Sequence, residues 1–271
     1  MTSGTVATRR RRHTFQSVRW RRIVLGGGLA VLLLLLWQWY SSRSAHNIFI
    51  ASSPSRSWDS LVALVTTGSF WSVQLAATAQ GLALGWSCAV AAGLLLGAAL
   101  GYVRTLREAL EPLLFSINFV PRLALIPLLT LWLGYGLTYK AVVVVIAGFF
   151  PVLLNTMDGV RRADNELMRM SRSFGAGPVW QLFTVALPGS LPSVFAGLRQ
   201  SLAHSVVGVI GAEIWASSAG LGWLIANAEL QVRTDRIIAT IIVVTVVGVL
   251  LNETLRLVES RCTRWYPRER R

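Results

Sequence analysis

Six stretches of about twenty predominantly apolar residues, separated by short arginine-bearing loops, constrain this chain more than any other feature. A run of that length crosses the hydrocarbon core of a bilayer as one helix. Inside lipid each backbone N–H and C=O must find a partner within the protein, which selects helices or closed barrels. The runs are Ile23 to Tyr40, stretches within Leu75 to Tyr102 and within Leu113 to Leu133, Thr138 to Leu154, Val194 to Trp215, and Ile237 to Val258. The expected fold class is therefore all-α, a polytopic transmembrane helical bundle of about six spans. Composition agrees: mean hydropathy is +0.55, with 54% hydrophobic and only 14% charged residues, too apolar for an ordinary soluble domain. Two cysteines, Cys88 and Cys262, cannot make a disulfide scaffold. The first run is long for the apolar core of a signal peptide, no small-residue cleavage site follows it, and Trp37, Trp39 and Tyr40 form an interfacial belt at its end. It is expected to be a retained span.

The formal charge of +14 raises the question of nucleic acid, and its distribution answers it. The arginines gather at the flanks of the apolar runs, and no basic face alternates with stacking aromatics, so no nucleic-acid partner is expected. Flanking cations report orientation instead. With both termini in the cytoplasm, twenty of the 26 basic residues lie on that side, including Arg104, Arg107, Arg161, Arg162, Arg169 and Arg172. Five (Arg43, Arg56, Lys140, Arg233, Arg236) lie outside and Arg122 lies within the bilayer.

Within the spans, Gly81, Gly85, Ala89, Gly93, Gly97 and Gly101 recur at every fourth position and line one helix ridge. Such a ridge lets a neighbouring backbone approach closely, and a packing seam is expected. Pro121 and Pro127 interrupt the third span. Broken helices are tolerated at membrane depth where they face protein or a cavity, and Arg122 beside the break must face inward. Pro121, Arg122 and Pro127 are thus candidates for a translocation path, with a structural or snorkelling arginine as the alternative.

Catalytic motifs are missing. A P-loop needs a lysine after its glycines, and the only lysine sits in Thr138-Tyr139-Lys140-Ala141. His13, His46 and His204 are far apart, no metal-ligand spacing occurs, and no nucleophile elbow is present. His204 reads as a hydrogen-bonded residue of the bundle. No enzyme activity, metal or cofactor is expected of the chain itself.

The most specific segment lies between the fourth and fifth spans. It runs Asp164-Asn165-Glu166-Leu167-Met168-Arg169-Met170-Ser171-Arg172-Ser173-Phe174-Gly175, then on to Leu187-Pro188. The pattern predicts a short amphipathic helix, a glycine turn, a second helix with Pro178 near its start, and a stop at Pro188. Leu167, Met170 and Phe174 fall on one face, and Arg162 and Glu166 are four apart. A short helix with such a ridge inserts into a groove of another protein or lies on headgroups.

This segment resembles the cytoplasmic coupling motif of ATP-binding cassette importer permeases. Aligned on Gly175, the family's glutamate-alanine-alanine triplet falls on Arg169, Met170 and Ser171, its isoleucine on Val185, and its leucine-proline on Leu187 and Pro188. Arg169 stands where glutamate is usual and Met170 where a small residue is usual; Glu166 lies nearby. Pro121-Arg122-Leu123-Ala124-Leu125-Ile126-Pro127, the run Phe149 to Thr156, Gly211-Ala212-Glu213 with Leu221 to Ile225, and Arg233-Thr234-Asp235 resemble the aliphatic sulfonate, taurine and nitrate-type branch.

The resemblance implies a type I importer permease fold in a bacterial cell membrane, working as a homodimer. It also implies a cytoplasmic ATPase dimer that binds the ATP, and an extracytoplasmic substrate-binding protein. It divides the chain into a basic tail (1–22), a first span (23–40), an extracytoplasmic segment (41–74), a permease core (75–260) with its coupling loop (158–192), and a basic tail (261–271). Glu213, near the outer end of the fifth span, is expected at a gate or on the docking surface, with a hydrogen-bonding residue of the helix end as the alternative. A small anion is the expected cargo.

Overall fold

The computed structural model describes residues 11–43 and 52–264, and every regular element among them is helical. The expected tail 261–271 therefore lies mostly outside the described residues, as does part of 1–22. Helix α1 (Arg11–Ser42) is followed by α2 (Pro54–Thr66) and α3, which runs Phe70–Tyr102 and opens with the π-helical turns Phe70–Leu75. Next come α4 (Arg104–Asn118) and α5 (Ile126–Leu133), then α6 (Leu137–Arg161) and the short α7 (Asn165–Ser173). Helix α8 (Pro178–Ala216), the short α9 (Leu221–Leu230) and α10 (Thr234–Cys262) complete the order.

Five of these helices are long and apolar enough to cross a membrane, and the bent pair Arg104–Asn118 with Arg122–Leu133 makes a sixth crossing if it is one span. The two arms of that pair meet at 76°. Pro121, in extended conformation, stands at the break, and Pro127 occupies the first turn of α5, where a missing N–H costs nothing. The segment 41–74 contains an unforeseen element. Helix α2 is capped by Ser53, whose Oγ accepts from the Arg56 backbone N–H, and packs Leu64 against Phe70, Leu221, Leu224 and Val243.

The core is a three-layer stack with α6 between α3 and α8. The glycine ridge of α3 faces α6: a Cβ on Gly85 would lie 2.6 Å from the Ala141 carbonyl oxygen, and one on Gly97 2.6 Å from that of Leu153. On its other side α6 meets Gly197 and Gly208 of α8. Close backbone approach of this kind replaces the hydrophobic drive that lipid cannot supply between helices. Helix α1 stands apart, its side chains from Val31 to Leu36 more than half exposed, and Gln38 ties it to α2 through Ser55. Such an apolar wall is the surface a bilayer covers.

One expectation fails. Pro188 does not stop a helix, because α8 runs through it without a break. The π-helical turns Leu182–Ala186 immediately precede it and change the hydrogen-bond register where the proline N–H is missing. The segment 158–192 therefore overlaps the ends of two spanning helices, and only 162–177 projects between them.

Candidate functional site

The projecting segment is built from local rules. Asp164 caps α7 by accepting from the Glu166 and Leu167 backbone N–H groups at 2.8 and 3.4 Å. At the other end, Ala176 N–H donates to Ser171 C=O at 3.0 Å and Gly175 N–H to Arg172 C=O at 2.9 Å. With Gly175 at φ +80°, this is a Schellman ending, in which the residue after the cap must turn left-handed. Gly175 is thus required by geometry.

Leu167, Met170 and Phe174 are 52%, 56% and 86% exposed, so the apolar ridge points away from the chain. Glu166 and Arg169 flank it, both exposed, and Arg162 and Glu166 form no ion pair with each other. Ser171 faces inward, 8% exposed, and bonds the Met168 carbonyl. Leu187 and Pro188 sit in α8 beyond the π turns and line an apolar cleft with Leu94, Ala98 and Phe183.

Gln181 anchors the turn, and nothing in the sequence pattern singles it out. It is 2% exposed. Its Nε2 donates to the Ala176 carbonyl at 3.1 Å, while its Oε1 accepts from Tyr102 Oη at 3.3 Å and Arg172 Nε at 3.4 Å. The end of α3, the end of α7 and the start of α8 therefore meet on one amide. This contact joins α7 to two spanning helices.

A second constellation lies at the other end of the bundle. Lys140, expected as a flanking cation, is buried in the first turns of α6 and pairs with Glu213 of α8 at 2.8 Å. Their side chains are 7% and 0% exposed. The carboxylate also accepts from Thr78 Oγ1 at 2.8 Å and from the Gly222 N–H at 3.0 Å. Lys140 Nζ donates to the Ala219 carbonyl at 2.9 Å, and the Leu221 N–H donates to Thr78 Oγ1 at 2.9 Å. Gly220, at φ +128°, passes so close that any Cβ would enter the carboxylate. Glu213 therefore cannot belong to a docking surface. It locks α3, α6, α8 and α9 together, and its charge is compensated on every side.

Arg122 lies at the bend between α4 and α5. Its Nη1 donates to the Ala147 carbonyl at 3.2 Å, its Nη2 to Asn118 Oδ1, and its guanidinium lies 5.4 Å from the Phe150 ring centroid. Ala147 is near the middle of α6, so the charge sits at mid-depth of the span. Pro121 and Pro127 are exposed beside it. The α7 segment and the Arg122 group thus lie at different depths on the same three-helix stack.

Comparison with known proteins bears on this arrangement. Residues 89–264 match the family described as binding-protein-dependent transport system inner membrane component. Over 255 residues, 92% of this chain and 93% of the relative, the chain is 30% identical to the taurine transport system permease protein of Escherichia coli. Over 249 residues, 92% of this chain and 94% of the relative, it is 32% identical to a putative aliphatic sulfonates transport permease protein of the same species. It is also 33% identical over 240 residues, 87% of each chain, to the riboflavin transport system permease protein of Chloroflexus aurantiacus. The branch that the motifs resemble is thus the branch in which its relatives fall. With a match over residues 89–264 and several membrane-spanning helices, the chain is a multi-pass permease that belongs to the binding-protein-dependent transport system inner membrane component family.

Proposed function

We propose that this chain is the membrane-spanning subunit of an ATP-driven importer for a small anion of the sulfonate or taurine kind, acting as a homodimer. A separate cytoplasmic ATPase dimer takes the α7 ridge into a groove, and an extracytoplasmic binding protein delivers the substrate to the opposite face. The observation that carries the reading is the exposed ridge Leu167, Met170 and Phe174, held at a set angle by Gly175 and Gln181. A ridge of apolar side chains projecting from a firmly capped short helix is the geometry of helix-in-groove docking. Closure of the ATPases on ATP would push α7, and Gln181 would pass the displacement to α3 and α8. Arg122 at mid-depth favours a cargo with an anionic group, and the taurine and aliphatic sulfonates named for two relatives both carry a sulfonate.

Replacing Gly175 by valine tests the coupling. A β-branched residue at φ +80° is disfavoured by about 1–2 kcal/mol, enough to reset the turn while α6 and α8 stay inserted. Substrate uptake by the complex is expected to fall at least tenfold, with the amount of chain in the membrane unchanged. Undiminished uptake would sink the coupling role.

Orientation follows from the arginine distribution and is checked by labelling. In a Cys88→Ser, Cys262→Ser background, Ser173→Cys in intact spheroplasts is expected to resist a membrane-impermeant maleimide until the cells are opened. Arg233→Cys is expected to react at once. The reverse pattern would place both termini outside.

A further inference from the structure

Ion pairs among the described residues join Arg104 to Glu108, Lys140 to Glu213, Arg161 to Glu111, Arg199 to Glu259, Arg233 to Asp235 and Arg256 to Glu253. Arg122 is in none of them. Its two hydrogen bonds go to neutral oxygens, of Ala147 and Asn118, and a guanidinium carries five N–H donors. Among the described residues, three donors remain without a partner and no carboxylate offsets the charge, which has only the Phe150 ring beside it, at the depth where an uncompensated charge is most costly.

The surroundings of that charge share its character. Ala147 and Gly148 of α6 pack against Gly208, Ser205 and Ser201 of α8, which places His204 on the adjoining strip. His204 is exposed, on the face of α8 that also carries Gly211, which lies against Leu123 and Ile126 beside Arg122. One turn away, Gln200 is exposed, and its Oε1 accepts from Asn155 Nδ2 at 3.3 Å. Asn155 Nδ2 also donates to the Pro151 carbonyl at 2.8 Å, which fixes it in place. With its oxygen engaged, the Gln200 amide keeps two N–H donors that have no partner among the described residues. Arg122, His204 and Gln200 thus form a strip of donors on α8 and the α4–α5 bend, with no carboxylate among its contacts.

From this juxtaposition we infer that the strip is a transient binding site for a small oxyanion, a sulfonate or carboxylate group, inside the translocation path. The Arg122 fork takes two oxygens, and His204 and Gln200 border the site. The inference rests on the proposed function, because the strip must face a water-filled passage for an anion to reach it. Neutral partners on Arg122 make the site permissive: they hold the guanidinium in position without neutralising it, so the passing anion supplies the missing charge and then leaves.

The test uses the full chain in its native membranes and needs no knowledge of the cargo. Val207, 58% exposed and one turn from His204, becomes the reporter as Val207→Cys in a Cys88→Ser, Cys262→Ser background. Its reaction rates with an anionic sulfonatoethyl and a cationic trimethylammonioethyl methanethiosulfonate are each divided by the rate with a free thiol. An unneutralised guanidinium on this face attracts the anionic reagent and repels the cationic one, so the anionic reagent is expected to be favoured at least tenfold. Arg122→Gln is expected to remove the preference, Arg122→Lys to keep it, and excess methanesulfonate to slow the labelling in the chain that retains Arg122. If neither reagent reacts, no water reaches this face, and the path reading falls with the site. If both react, with no preference and no protection by methanesulfonate, the passage stands and the anion site is overturned.

Discussion

Glu213→Ala is expected to destabilise the permease more than any other single side-chain truncation, because it leaves the Lys140 ammonium buried without its counter-charge. The pair is 2.8 Å apart with side chains 7% and 0% exposed, and breaking a buried pair from one side costs about 3–5 kcal/mol. Thr78 Oγ1 and the Gly222 N–H would lose their acceptor in the same step. The measurement is the melting temperature of the detergent-extracted chain by size exclusion, expected to fall by roughly 10 °C. The same logic sets the control. Lys140→Met alone strands the carboxylate, and the double variant Lys140→Met, Glu213→Ala removes both charges, so it is expected to be more stable than Glu213→Ala. Additive losses would mean that the two residues do not act as a pair.

A methyl group at Gly85 or Gly97 is expected to have a comparable effect by a different route. The new Cβ would stand 2.6 Å from the carbonyl oxygen of Ala141 or of Leu153. Backbone oxygens of α6 cannot swing aside as a side chain can, so the helices must part along the seam. Overpacking costs about 1–3 kcal/mol where side chains yield, and more is expected where only backbone is available. Gly85→Ala and Gly97→Ala are expected to lower the yield of monodisperse, membrane-inserted chain severalfold. Gly248→Ala is expected to leave it unchanged, because nothing lies within 4 Å of a Cβ there. Equal yields from all three would remove the seam as the basis of the three-helix stack.

These two predictions differ in how much of their basis is legible in the sequence. The seam is written in it: a small residue at every fourth position has no other common purpose in a span, and only its partner, α6, had to come from the structure. The six apolar runs, the break at Pro121 and the turn at Gly175 are equally local. Each depends on residues within a few positions, through hydrophobic length, a missing N–H or a left-handed φ. The Lys140–Glu213 lock was not legible. The two residues are 73 positions apart, and Lys140 beside an apolar run looks the same whether it flanks the membrane or is drawn under a neighbouring helix.

Pro188 shows the same division. A proline signals a stop by its own chemistry, but the π-helical turns before it let α8 continue, and packing against α6 holds that helix together. Gln181 joins three helices only because Tyr102 and the Gly175 turn are folded onto it. By itself, then, the sequence determined the long apolar runs, the ridge that packs them and the shape of the turn at Gly175, because hydrophobic period and backbone restriction act over a few residues. Tertiary structure alone decided which charges meet and which, like Arg122, stay unpaired, because that depends on helices brought together from distant parts of the chain.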